Sequence, residues 1–168
     1  MAERIILICI LTLVLGCSSP TVSPAVYNDS LISEQIKVLK LADELQVSMD
    51  MMVPQDMIVF HKKLLNQLAK SSEKVKSTEA YQEDLALRNA IAHFLEVYKR
   101  LAEKEYRDAI ELASKPDSVF SQNDQARLDL LYKQIDRLSE DAINGCKKAQ
   151  EDFARKNSMK LIKDSLPS

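Results

Sequence analysis

Glycine is almost missing from this chain: its 168 residues contain two, Gly16 and Gly145. A sheet protein of this length needs glycine-bearing hairpin turns, and none is visible. The same scarcity removes phosphate-cradling glycine loops and the Gly-x-Ser-x-Gly elbow of serine hydrolases. Histidine is equally sparse, with only His61 and His93. Carboxylate-bridged di-metal centres in helical proteins use Glu-x-x-His on two helices. Here Ile58 and Ala90 stand three residues before the two histidines, so that motif is absent. A Cys-x-x-Cys-His haem attachment is absent too. Formal net charge is -2, which provides no basic field and gives no support for nucleic-acid binding.

What the chain does have begins at its start. An apolar run from Ile5 to Leu15 follows Arg4 and ends in Val14-Leu15-Gly16-Cys17. Eleven residues are too few to cross a bilayer core, which needs about 20. A positive start, a short apolar stretch and a small residue before the cut describe a secretory signal. The Val-Leu-Gly-Cys ending resembles the lipobox of bacterial lipoproteins. That resemblance implies cleavage before Cys17 and a diacylglyceryl group, with chains such as palmitate, on its sulfur. Two chains suffice for stable anchoring at about 0.8 kcal/mol per buried methylene. The resemblance also implies a cell-envelope location, with Ser18 rather than Asp after the cysteine leaning toward the outer membrane. With Cys9 lost in the leader and Cys17 lipidated, Cys146 is left alone, so no disulfide framework exists.

The expected organisation is a signal over 1–16, a lipidated cysteine and flexible tether over 17–29, and one domain over 30–168. Two prolines and three serines between Ser18 and Asp29 disfavour helix. Extended, that tether reaches roughly 40 Å at about 3.3 Å per residue.

The domain's apolar residues recur at helical spacing. The first helix is expected from Ser30 to Met52, carrying Ile32, Ile36, Leu39, Ala42 and Leu45, with Asn28 or Asp29 as its cap. Pro54 ends it and opens a second helix running to Lys76. A third spans Glu79 to Ser114, and Pro116 forces a break. Ser121 with Asp124 resembles a capping box opening a fourth, which ends near Lys163. Short connections predict an all-α, antiparallel up-down-up-down four-helix bundle. Gly145 either bends the fourth helix or lies inward and admits a close neighbour, the second being preferred. Surface pairs at favourable i,i+4 spacing are Glu96–Arg100, Glu103–Arg107, Asp129–Lys133 and Glu151–Arg155.

Candidate sites are few. Met49, Met51, Met52 and Met57, with His61 one turn on, form a thioether cluster of a kind that suits Cu(I). Flexible methionines also fill the irregular end of a helical hairpin, and that packing role is preferred. Tyr81, Tyr98, Tyr106 and Tyr132 are candidates to line an inter-helical ligand slot, against the commoner role of aromatic core rim. Cys146 is expected to be a buried, inert thiol. Val119 and Phe120 are apolar in a polar tip and are candidates for partner contact, or tuck back locally.

Two short stretches, Ala25-Val26-Tyr27-Asn28-Asp29 with Ile32 and Gln35, and Ala149 to Asn157, are similar to a group of uncharacterised helical surface lipoproteins of bacteria. The resemblance implies location and a helical body, and no activity. Acid, base and nucleophile never converge in recognisable spacing, so no enzyme is expected, and no cofactor. The expected role is a non-enzymatic interaction or structural module of the envelope, with a membrane contact through lipid and an envelope protein partner. Metal or small-ligand binding is the alternative.

Overall fold

The computed structural model describes residues 22–161. The expected leader over 1–16, and Cys17, lie outside the described residues. Every regular element is helical: α1 (Pro24–Asp50), α2 (Pro54–Ser77), α3 (Ala86–Leu101), a π-helical turn (Ala102–Tyr106), α4 (Arg107–Ala113) and α5 (Gln122–Lys156). Among the described residues there is no strand, only an isolated bridge between Tyr81 and Asp84. α3, the π turn and α4 follow without a gap, so the described residues form four long helical stretches.

α1 starts six residues before the expected Ser30, and half of the expected tether is helix. Pro24 occupies the first turn, where its missing N–H costs nothing and its fixed φ suits a helix. The cap is Ser23, whose hydroxyl accepts the Val26 N–H at 3.3 Å, not Asn28 or Asp29. Tyr27 supplies the tertiary reason for the early start. It is buried and meets Tyr81 and Phe153 at ring-centroid distances of 5.3 and 5.4 Å. This triad ties the start of α1 to the α2–α3 turn and to the end of α5.

Pro54 opens α2 as expected. The third stretch begins at Ala86, not Glu79. Gln82 and Glu83 take positive φ of 47° and 68°, and the Asp84 N–H donates to the Tyr81 carbonyl at 2.8 Å. That tight turn carries Tyr81 into the triad, which a helix through the same residues would not do. Asp84 then accepts the Ala86 N–H and closes the start of α3.

The Ser121–Asp124 capping box is complete. Asp124 N–H donates to Ser121 Oγ, and Ser121 N–H donates back to Asp124 Oδ2 at 3.0 Å. Lys115 adds a 2.7 Å ion pair to Asp124 across the Pro116 turn. α5 ends at Lys156, short of Lys163. Ser158 has φ 53°, and the Met159 N–H returns to the Ala154 carbonyl.

Gly145 corrects another expectation. α5 runs unbroken through it, its side faces solvent, and a Cβ built there meets nothing within 4 Å. No neighbouring helix uses the missing side chain. The expected surface pairs do not form either. Arg107 pairs with its neighbour Asp108, Arg155 with Asp152, and Glu103 with Lys99. Exposed side chains choose among adjacent partners at little energetic difference, so spacing alone does not select one.

The core is one continuous cluster, from Leu31, Val38, Leu45 and Met49 of α1 through Leu64 and Leu68 of α2 to Phe94, Leu95 and Leu101 of α3. Ile135, Cys146 and Phe153 of α5 complete it. α1 packs along α2, α3 along α5, and α1 also meets α3. α1 and α5 scarcely touch apart from the Tyr27–Phe153 end.

Candidate functional site

That unclosed α1–α5 seam is the candidate site. Ile36, Leu39 and Ala42 recur at intervals of three along α1 and give one wall, with Lys40, Asp43 and Gln46 at its mouth. Ile143 and Ser139 of α5 give the other wall. Tyr98 from α3 and Tyr106 from the π turn form the floor. The groove holds about 540 Å3.

In the floor, Tyr98 packs against Phe94 as a tilted pair with ring centroids 4.5 Å apart. Both tyrosines are buried. Burial pushes the Tyr98 phenol up from its ordinary pKa. Burial likewise raises Tyr106, and the fields of Tyr98, Asp136 and Asp43 add to it. Both phenols therefore stay protonated and can donate a hydrogen bond. The Ser139 hydroxyl, in the wall, is buried and lies beside the Tyr98 phenol. The groove thus offers apolar walls with a few hydroxyls, a composition that binds and orients. No histidine or thiol lines it.

The π turn that delivers Tyr106 is braced from α2. His61 Nε2 lies 2.7 Å from the Ala102 carbonyl oxygen. A carbonyl only accepts, so Nε2 carries the proton and donates. On the α5 side, Glu105 of the same turn is buried and accepts from Gln134 Nε2 at 2.9 Å. Its second oxygen has no partner.

The other sequence candidates scatter. Met49 and Met57 are completely buried in the core, whereas Met51 and Met52 are exposed. The four thioethers are thus divided between inside and outside, and the ring nitrogen of His61 is engaged with the backbone. Tyr81 belongs to the aromatic triad, and Tyr132 lies partly buried on α5 away from the groove lining. Cys146 is buried, 3.4 Å from the Ala90 carbonyl, and burial pushes its thiol up to about 12. Phe120 leans on the core while Val119 stands 63% exposed, so the pair does not act as one patch.

Sequence reasoning missed Lys40, Asp43 and Ser139. The signal was present: Ser139 falls between Leu138 and Ala142 on an inward stripe, where a hydroxyl needs a reason. It also missed a polar seam between α1 and α2. Glu34 there is buried, accepting from Lys37 at 2.6 Å and from Ser71 at 2.8 Å, and Gln67 donates to Ser71. Burial opposes ionisation of Glu34, but the bonds from Lys37 and Ser71 and the field of Lys74 outweigh it and hold its pKa below the usual value.

Comparison with protein-family models, with curated proteins and with solved structures gave no match.

Proposed function

We propose that this chain is a lipid-anchored protein of the bacterial cell envelope, held through Cys17, whose body is an antiparallel up-down-up-down bundle acting as a non-enzymatic interaction module. The Val14-to-Cys17 sequence supports the anchor. No helix among the described residues is long and apolar enough to cross a membrane. The antiparallel order is supported by the contacts at one end, where the start of α1 meets the turn after α2 and the end of α5. Ser18 favours the outer membrane.

The interaction reading is carried by the α1–α5 groove. It is an apolar trough with a braced floor, left open where the neighbouring seams are packed. A partner's apolar side chains fill such a trough, and the two tyrosine hydroxyls of the floor fix their register. The same hydroxyls favour a small-ligand slot as second reading. Copper is the weaker form of that alternative, because the methionines do not converge.

A photo-crosslinking residue in place of Gln46, at the mouth of the groove, tests this in native envelopes. The interaction reading expects a discrete crosslinked protein that is missing when the crosslinker replaces exposed Lys133. A small adduct with no protein partner would favour the slot instead. Equal, diffuse labelling from both positions would remove the groove from consideration.

A further inference from the structure

We infer that the end of the body holding the start of α1, the α2–α3 turn and the end of α5 rests on the phospholipid headgroups of the membrane that carries the anchor. This rests on the proposed lipidation of Cys17. The first argument is reach. Because α1 begins at Pro24, only residues 18 to 23 separate Cys17 from the helix. That stretch spans at most about 20 Å, half of what a tether to Asp29 would allow. α1 itself, at 27 residues, is about 40 Å long. The start of α1 is therefore held within about 20 Å of the lipid, while the α1–α2 turn, with exposed Met51 and Met52, lies a helix length away from that attachment.

The second argument is surface chemistry. Val22 and Val26 are 53% and 59% exposed, four residues apart on the side of α1's first turn. They share a surface hollow with Lys74 and with Ser77 and Thr78 of the α2 terminus. Lys74 and Lys76 form no ion pair among the described residues. Exposed valines beside the Lys74 ammonium match an interface of acyl boundary and phosphate, with Glu79 the one acid of the same hollow, while Lys76 opens on a separate hollow toward α3. Both ends carry acids, Glu79, Glu83 and Asp84 in the α2–α3 turn and Asp50 and Asp56 beside the α1–α2 turn, so the tether sets which end faces the lipid and Lys74 acts locally. A lipid surface meets this end, because the anchor already brings one within reach.

Full-length lipidated protein in phosphatidylethanolamine–phosphatidylglycerol vesicles provides the test. A fluorophore is placed at Val26→Cys or Met51→Cys; Cys146, being buried, stays unlabelled. A headgroup-attached quencher should dim the Val26 position several-fold more than the Met51 position. Lys74→Gln should narrow that difference, as should replacing phosphatidylglycerol by phosphatidylcholine. Protein that floats with the vesicles but is quenched equally at both positions overturns the orientation and leaves the anchor standing. Protein that floats no better than its Cys17→Ser variant overturns the anchor, and the orientation with it.

Discussion

Gly145 carries a helix-propensity cost with no compensating contact. Its φ is ordinary, α5 is continuous around it, and the space beside it is open. Glycine within a helix is less favourable than alanine by about 0.5–1 kcal/mol. Gly145→Ala should therefore stabilise the protein by about that amount in urea denaturation, and a loss of stability would point to a contact outside the described residues. Glu34 is the opposite case, a charge inside the α1–α2 seam whose partners matter. Ser71→Ala leaves one of its oxygens without a donor and should cost about 1–3 kcal/mol by the same measurement. Neither outcome was legible from the chain. An apolar stripe predicts which positions turn inward, yet it says nothing of which inward polar residue finds a donor on another helix. Cys146 was legible, because a lone thiol on an apolar stripe has one simple fate.

Local chemistry governs the ends of the elements, and there the sequence is more eloquent. Pro54 and the Ser121–Asp124 box mark helix starts through residues that act within one turn. Pro24 does the same, but prolines beside serines read equally well as a tether. Only the burial of Tyr27 against two distant aromatics decides between them. The π turn at Ala102–Tyr106 has no glycine or proline to announce it. It depends on His61 and Gln134, 41 and 29 residues away. Ser121→Ala should cost about 1 kcal/mol of stability through loss of the α5 cap. Lys115 and then the Ser121 groups hold the Asp124 carboxyl well below the usual carboxylate range. A depressed folded pKa contributes stability that is present above the unfolded value near 3.9 and lost as pH falls toward the folded one. Stability should thus decline below about pH 4, and Asp124→Asn should flatten that limb in acid titrations followed by circular dichroism.

At the scale of the molecule, the all-helical class followed directly from periodicity and the lack of glycine, while the open seam did not. Apolar spacing gives each helix a face and cannot say that α1 meets α3 while leaving α5 apart. Ile36, Leu39 and Ile143 look like core residues on paper; the structure makes them walls. Because one core cluster joins all four stretches, unfolding should be a single event. Helical signal and tyrosine fluorescence should lose half their amplitude at the same urea concentration. An earlier change in either would mean that α4 and the start of α5 open on their own. The sealed thiol on α5 has a consequence for handling the protein wherever oxidants are present. While the fold is closed, Cys146 is chemically silent; each time it opens, it presents a sulfur that oxidants and other thiols can capture. The modified fraction therefore rises with the total time the fold has spent open in the presence of an oxidant.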